Sequence, residues 1–170
     1  KKAKAVILPS QSARSDFHKF YRFSLKKTYA VPLGFDNKRF QRLPQPKDIL
    51  SLSAPYFLSV GRLETRKNII RLIKSYEIFQ KKTSSDIKLV LAGKAGHGYS
   101  EISDTLNGVP KNLRDMILLP GFINDRDLPH LFCKAECLVF PSLYEGFGLP
   151  ILESFASGLP VITSNCSSML

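Results

Sequence analysis

The chain has 170 residues, enough for one domain with a sizeable hydrophobic core or for one domain and part of another. Its 44% apolar composition is ordinary for a globular protein, and no apolar run reaches the roughly 20 residues of a membrane span. The net charge of +11 is concentrated in residues 1–40, which hold ten basic and two acidic residues, against fifteen and twelve in residues 41–170.

The first 40 residues are predicted to form a strand, a helix and a second strand, in the segments "KAVILPS", "SARSDFHKFY" and "TYAVPLGFD". No signal peptide is predicted, and both ends are expected to be cut from a longer protein. The basic charge would suit an anionic membrane surface, a nucleic acid or an anionic substrate, or it is simply a solvated face. The polar, proline-bearing stretch "QRLPQPKDILSLSAP" that follows is typical of a connector.

From residue 56 onward, short apolar runs alternate with helical patterns. The runs "YFLSV", "IKLVLAG", "MILLPG", "CLVFPS" and "PVITS" predict five strands. Helices are predicted between them, in "NIIRLIKSYEIFQKK", in a short segment after "GKAGHG", in "NDRDLPHLFCKA" and in "PILESFAS". The alternation predicts an α/β, Rossmann-like fold, with helices on both faces of a parallel sheet.

In such a fold, ligands bind beyond the carboxyl ends of the strands. The residues that follow the predicted strands include three glycines and charges of both signs, as expected for a cleft that binds a phosphorylated ligand with hydroxyl groups. They are Gly61 and Arg62, Gly93 and Lys94, Gly121 and Phe122, and Tyr144 and Glu145.

The stretch "YEGFGLPILE" combines an anion-binding turn with two acids. Pro150 suits the first turn of a helix, and Gly146 and Gly148 allow a ligand close to the free backbone N–H groups before it. The carboxylates of Glu145 and Glu153 could accept hydrogen bonds from sugar hydroxyls on either side. Alternatively, Glu153 favours the helix N-terminal turn and Glu145 is a loop charge; the spacing alone leaves both interpretations open.

The stretch "GRLETRKN" places Arg62 and Lys67 between a predicted strand and a predicted helix. Fixed cations there could neutralise a diphosphate leaving group without a metal ion. The alternative is a polar loop with solvated basic side chains.

Four further patterns are not interpreted as catalytic. "GKAGHG" has neither the dinucleotide-binding nor the Walker spacing, although it could shape a nucleotide pocket. "DRD" is more typical of a helix start than of a metal site. His97 and His130 lack the partners of a catalytic triad, and Cys133 and Cys137 lack a second pair of metal ligands. We therefore expect no metal site and no nucleophilic catalysis.

In their order, these motifs resemble the nucleotide-binding domain of the group 1 retaining glycosyltransferases, which have the two-domain GT-B fold. The resemblance covers about residues 56–165, and its central motif is a pair of glutamates eight residues apart around "GFGLP". It implies that residues 1–40 are the end of the N-terminal, acceptor-binding domain with the hinge, and that residues 41–170 are the C-terminally truncated donor-binding domain. The hinge often contains an Asn where this chain has Leu33 in "VPLGFD".

The resemblance implies a metal-independent hexosyltransferase without a cofactor, which moves a sugar with retention from a nucleoside-diphosphate sugar to a polysaccharide, lipid-linked or other glycan acceptor. Arg62 and Lys67 would bind the diphosphate, Glu145 the transferring sugar and Glu153 the ribose; the first three are the implied catalytic residues. The remaining implied donor-binding residues are Gly61, Gly93, Gly121, Phe122, Ile123, Gly146, Phe147, Gly148 and Leu149.

The resemblance predicts a cytoplasmic protein, with the inner face of the membrane as an alternative location, and an isolated chain that binds nucleotide without transferring sugar. Two alternatives remain. One is a sugar-nucleotide epimerase or phosphorylase of the same fold. The other is a basic nucleic-acid-binding module, for which the chain has no RNA-recognition or helix-turn-helix motif.

Overall fold

The computed structural model describes residues 3–52 and 54–169. Its strands are β1 (Val6–Leu8), β2 (Thr28–Ala30), β3 (Tyr56–Val60), β4 (Lys88–Ala92), β5 (Ile117–Gly121), β6 (Cys137–Phe140) and β7 (Val161–Thr163). Its α-helices are α1 (Gln11–Phe20), α2 (Ile69–Thr83), α3 (Tyr99–Gly108), α4 (Lys111–Arg114), α5 (Leu128–Lys134) and α6 (Leu149–Ala156). Three single-turn 3-10 helices span Leu25–Lys27, Thr65–Lys67 and Ser167–Met169.

The five strands from β3 to β7 form one parallel sheet in the order β5-β4-β3-β6-β7. The chain builds outward from β3 through β4 to β5, and then returns to place β6 on the other side of β3. This reversal separates the loops that follow β3 and β6, which opens a crevice at the carboxyl ends of the strands. The motifs "GRLETRKN" and "YEGFGLPILE" are the loops on either side of that crevice.

Both faces of the sheet are covered by helices, because the strands are apolar on both sides. Leu58 and Phe140 belong to a buried cluster that includes residues of α5, with α6 packed against it. Leu89 and Leu91 belong to a second cluster, formed with α2 and α3. The predicted α/β fold with a parallel sheet between two helical layers is therefore confirmed.

The N-terminal segment forms a separate β1-α1-β2 unit, in which the two strands pair in parallel. The side chain of Ser10 caps α1 by accepting a hydrogen bond from the Ala13 N–H at 3.0 Å. Arg14 ties the helix to β2, since its Nε donates to Thr28 Oγ1 at 3.0 Å. The predicted strand, helix and strand of this segment are all present, and α1 also touches the Ser167–Met169 turn of the larger domain.

Residues 31–40 lead out of the N-terminal unit, and their last part is anchored in the larger domain. Asp36 Oδ1 accepts hydrogen bonds from the N–H groups of Lys38 and Arg39. The next residue, Phe40, is buried in the core of the larger domain, with its ring edge-on to Phe132 at 5.6 Å. Contacts with the larger domain therefore begin before the predicted boundary at 40/41. The boundary itself and the role of the predicted hinge turn stay predictions. Ser53, in the predicted connector, lies outside the described residues.

Candidate functional site

The loops that follow β3 and β6 are joined across the crevice by hydrogen bonds. The Leu143 N–H donates to the Arg66 carbonyl at 2.8 Å, and Asn68 Nδ2 donates to the Pro141 carbonyl at 3.1 Å. Asn68 has a left-handed backbone, with φ of +59°, which this residue type tolerates better than most. It ends the 3-10 turn and directs the chain into α2. The two predicted motifs therefore form one connected structure.

Two cations hold Glu145 in the middle of this structure. Lys67 Nζ contacts Glu145 Oε1 at 2.6 Å, and Arg66 Nη1 contacts Glu145 Oε2 at 2.8 Å. The side chains of Lys67 and Glu145 are only 12% and 10% exposed, whereas Arg66 is 42% exposed. Arg66 makes two more contacts: Nη1 donates to the Tyr144 carbonyl at 2.7 Å, and Nη2 pairs with Glu64 Oε1 at 2.7 Å.

These contacts keep the Glu145 carboxylate ionised. Burial opposes the charged form of Glu145, but the hydrogen bond and the charge of Lys67, followed by the hydrogen bond of Arg66, lower its pKa below the ordinary value. The Lys67 ammonium also lies over the Phe140 ring, at 4.3 Å from its centroid. Glu145 is therefore an acceptor at neutral pH, with a fixed orientation and both oxygens facing cations.

A pocket of about 360 Å³ lies beside this cluster, at the carboxyl ends of β3, β4 and β5. It contains five of the residues predicted to bind the donor, and adds Lys94 and Asp125. The predicted residues that line it are Gly61, Arg62, Gly93, Phe122 and Ile123. Gly121 ends β5 next to Phe122 with φ of +75°, and does not line this pocket. Five of the ten residues that line the pocket are apolar, three are charged and two are glycines, a composition that suits a nucleotide base and ribose.

Glycine is required where the β3 and β4 loops meet at the floor of the pocket. The Gly61 N–H donates to the Ala92 carbonyl at 3.0 Å, and a Cβ on Gly93 would overlap the Gly61 carbonyl oxygen. The two loops continue side by side, since the Leu63 N–H donates to the Lys94 carbonyl at 2.9 Å. "GKAGHG" therefore shapes the pocket by close backbone packing rather than by a phosphate-binding loop.

The N-terminus of α6 follows directly after Glu145. Gly148 precedes the helix with φ of +89°, a conformation that favours glycine, and Leu149 is the first helical residue. Phe147 and Gly148 line a separate cavity of about 380 Å³ between α6 and the 167–169 turn. Gly146 faces the N-terminal unit, where its Cβ would lie 3.6 Å from Pro9.

Two serines near the end of the chain hold the backbone of Glu145. The Glu145 N–H donates to Ser167 Oγ at 3.2 Å, and the hydroxyls of Ser167 and Ser168 both donate to the Glu145 carbonyl. These residues are 22 and 23 positions downstream of Glu145. Nothing in the local sequence around Glu145 indicates them.

Glu153 lies in a different charge cluster from Glu145. Burial raises the pKa of Glu153; the positive charge of Arg39 opposes this rise, and the negative charge of Asp125 adds to it. Arg39 also pairs with Asp125, Nη2 to Oδ1 at 3.3 Å. Asp125 lines the 360 Å³ pocket, whereas Glu153 is not among the residues that line it. The structure therefore separates the environments of the two glutamates.

The resemblance implies that the two glutamates and the two predicted cations, Arg62 and Lys67, hold different parts of one ligand, and this assignment stays a prediction. In the structure, Lys67 and Glu145 contact each other, and Arg62 lines the pocket. The sequence reasoning also missed Arg66, although it is next to Lys67 in "TRKN". Adjacency to a predicted cation was the signal that could have identified it.

The patterns that were not interpreted as catalytic have structural roles. In "NDRD", Asn124 Oδ1 accepts hydrogen bonds from the N–H groups of Arg126 and Asp127, which makes a turn, and the helix begins only at Leu128.

Within residues 3–52 and 54–169, no group of three His, Cys, Asp or Glu side chains could hold a metal ion. None of the described helices is long and apolar enough to cross a bilayer.

Comparison with known proteins gives a consistent family. A family model described as glycosyl transferases group 1 matches residues 44–170. The chain is 31% identical over 175 residues to the O-antigen chain mannosyltransferase B of Escherichia coli, and the alignment covers 98% of this chain and 45% of that protein. It is 35% identical over 129 residues to the serotype-specific mannosyltransferase WbdA of Escherichia coli, covering 76% of this chain and 16% of that protein. The chain thus spans less than half of these relatives.

Solved structures agree on the fold. HepE from Anabaena, crystallised in complex with UDP-glucose, superposes with a TM-score of 0.80. The match covers 99% of this chain and 46% of HepE, at 20% sequence identity. At that identity the likeness supports the fold alone.

Proposed function

Because the chain belongs to the group 1 glycosyl transferase family, we propose that it is the donor-binding part of a retaining hexosyltransferase. The substrate would be a nucleoside-diphosphate sugar, and the acceptor a polysaccharide, a lipid-linked glycan or another glycan. The observation that carries the proposal is the Lys67–Glu145–Arg66 cluster, located at the point where the strand order reverses and next to a nucleotide-sized pocket.

Each part of the donor has a matching region of the site. The base and ribose would occupy the 360 Å³ pocket, with Phe122 and Ile123 at its wall. We propose that Glu153 accepts hydrogen bonds from the ribose hydroxyls. The diphosphate would lie between that pocket and the start of α6, within reach of Arg62 and Lys67. The helix N-terminus adds backbone N–H groups around Gly148, which favour an anion.

The chemistry follows from charge development in the transition state. As the bond between the sugar and the diphosphate breaks, negative charge grows on the departing phosphate and positive charge grows on the sugar. Arg62 and Lys67 would stabilise the first, and the carboxylate of Glu145 would accept a hydrogen bond from the sugar. Attack by the acceptor hydroxyl from the same face, within the ion pair, would form the new glycosidic bond with the anomeric configuration retained, and the hydroxyl proton would pass to the departing phosphate. We propose that these cations act without a divalent metal and that no cofactor takes part.

Calorimetry on the chain tests donor binding directly. UDP, GDP and ADP are titrated with and without EDTA, followed by the sugar conjugate of the nucleotide that binds best. Arg62→Ala and Lys67→Ala should each weaken diphosphate binding by roughly ten- to a hundredfold, because a lost charge-assisted contact costs about 1.5–3 kcal/mol. Glu145→Ala should reduce only the extra affinity that the sugar contributes.

The results separate the proposal from its alternatives. No heat with any nucleotide at millimolar concentration would contradict a preformed donor site. Equal losses for nucleotide and nucleotide sugar in Glu145→Ala would contradict the role given to that residue. Loss of binding in EDTA, restored by Mg²⁺, would show that the site needs a metal.

We propose a second, peripheral contact for the N-terminal unit, at an anionic membrane surface on the cytoplasmic side. Phe20, Tyr21 and Leu25 are exposed there, beside Lys26 and Lys27. Apolar side chains flanked by lysines suit an interface with anionic lipid. Co-sedimentation with vesicles containing phosphatidylserine, against phosphatidylcholine vesicles, tests the contact. Steep salt-dependent binding to duplex DNA would instead support the nucleic-acid alternative.

A further inference from the structure

We propose that Arg66 is a positioning residue of this site, which holds Glu145 in place so that Lys67 can leave it for the ligand's diphosphate. The inference rests on the proposed function and adds to it one residue, Arg66, and one step, the movement of Lys67 from Glu145 to the diphosphate. Lys67 pairs with Glu145 in the structure and would bind the phosphates in a donor complex.

The contacts of the two cations differ in number and rigidity. Arg66 reaches three acceptors from one planar group, namely Glu145 Oε2, the Tyr144 carbonyl and Glu64 Oε1, at 2.7–2.8 Å. A guanidinium that is held at three points loses all of them if it moves. Among the described residues, Lys67 Nζ has one hydrogen-bond acceptor, Glu145 Oε1. Its ammonium is a single point on a flexible stem, so it can move by giving up that one hydrogen bond and its position over the Phe140 ring.

Lys67 lies beside the pocket in which we place the nucleotide. A Cβ on Gly61 would be 3.4 Å from Lys67 Cε and 3.5 Å from Nζ, so the end of the lysine side chain is next to this glycine. Gly61 also lines the pocket. A short movement of the ammonium past Gly61 would therefore bring it to the phosphates.

Without Arg66, the exchange would leave a mostly buried carboxylate with no counter-charge. Such an unpaired charge is strongly unfavourable in a protein interior. Glu145 would then either retain Lys67, which weakens diphosphate binding, or take up a proton, which removes an acceptor for the sugar. Arg66 prevents both outcomes because it pairs with Glu145 Oε2, whereas Lys67 pairs with Glu145 Oε1. Glu145 therefore keeps a counter-charge when Lys67 leaves.

The surrounding charges allow the direction of a pH effect to be worked out. Arg66, Lys67 and Glu64 face Glu145 from the loop after β3. On the side of α1, Asp16 and Lys19 pair with each other and act on Tyr144, the neighbour of Glu145. Arg66 is one of the groups that lower the pKa of Glu145. Its removal should therefore raise that pKa, so that Glu145 becomes protonated at a higher pH.

The test is a ¹³C NMR titration of the glutamate side-chain carboxyl groups in the full chain, with the Glu145 signal assigned by Glu145→Gln. Arg66→Gln should raise the Glu145 pKa, and Arg66→Lys, which keeps the charge, should restore part of the difference. Arg71→Gln, at an exposed arginine of α2, is the matched control and should leave it unchanged. A merely structural role for Arg66 would not produce this order.

Calorimetry provides the second measurement. With the nucleotide that binds wild type best, Arg66→Gln should reduce the additional affinity contributed by the sugar by about tenfold or more, as expected for a charge-assisted contact. The affinity for the bare nucleoside diphosphate should fall as well, because Glu145 without Arg66 retains Lys67. An unchanged Glu145 pKa in Arg66→Gln would overturn the proposal, as would unchanged affinities for both ligands. If wild type binds no nucleotide, the proposed function fails, while the NMR comparison still decides whether Arg66 holds Glu145.

Discussion

The ion pair between Lys67 and Glu145 leads to an asymmetric prediction about stability. Glu145→Gln leaves the largely buried Lys67 ammonium without a carboxylate, whereas Lys67→Met leaves Glu145 paired with Arg66. Removing one partner of a buried ion pair costs about 3–5 kcal/mol, and a lysine relieves part of this by extending toward water. We expect Glu145→Gln to lower the free energy of unfolding by about 2–3 kcal/mol and Lys67→Met by about 1 kcal/mol.

The larger loss should also depend on pH. The pKa of Glu145 is lower in the folded state than in the unfolded chain, so its ionised form stabilises the fold. This contribution is fully present above the unfolded glutamate pKa of about 4.3 and is lost as the pH falls through the folded pKa. The stability difference between wild type and Glu145→Gln should therefore shrink below about pH 4.

Urea denaturation at pH 7 and at about pH 3.5 measures both effects. A loss of about 2–3 kcal/mol corresponds to a fall in Tm of about 4–12 °C for a chain of this size. Lys74→Met and Glu101→Gln, at exposed positions, are the matched controls and should change stability by less than about 0.5 kcal/mol. Equal losses for Glu145→Gln and Lys67→Met, or a Glu145→Gln loss that is the same at both pH values, would refute the reasoning.

Two further predictions concern the loops that build the site. Gly93→Ala should destabilise the protein by about 2 kcal/mol or more in urea denaturation, because its Cβ would overlap the Gly61 carbonyl. The control Gly108→Ala has free space at the end of α3 and should be neutral or slightly stabilising. Similar values for the two variants would contradict the close packing at Gly93. Asn68→Ala should lower the free energy of unfolding by about 1–2 kcal/mol, because it removes the hydrogen bond to the Pro141 carbonyl and puts Ala in a left-handed backbone conformation. Asn68→Gly loses the same hydrogen bond but tolerates the backbone conformation, so its loss should be smaller. Identical losses for the two variants would argue against a backbone contribution.

The sequence predicted most of the fold because its strands are short and apolar on both faces. A run such as "CLVFPS" can be buried on both sides only in the middle of a sheet covered by two layers, and the helical spacing of Ile69, Leu72 and Ile73 supplies one such layer. The same patterns located the loops that form the site. They also explained the glycines, since Gly93 and Gly148 lie where the backbone permits no other residue without strain.

What the sequence could not determine was which charged groups contact each other. Arg62, Arg66 and Lys67 follow the same strand and have similar chemistry, so their order along the chain does not indicate which of them faces Glu145. The choice depends on the turn at Thr65–Lys67 and on the hydrogen bonds between this region and the loop after β6. Glu145, in that loop, is 78 residues away from Lys67 in the sequence.

The same limit applies to the remaining contacts of the two glutamates. Ser167 and Ser168 hold the backbone of Glu145, and Arg39 from the hinge shares the environment of Glu153, over separations that no local pattern encodes. Local periodicity determines how each segment folds, because it decides which face of a strand or helix can be buried. Only the tertiary structure decides the pairing of charges, because a charge takes its partner from whatever the packed sheet places within a few ångströms.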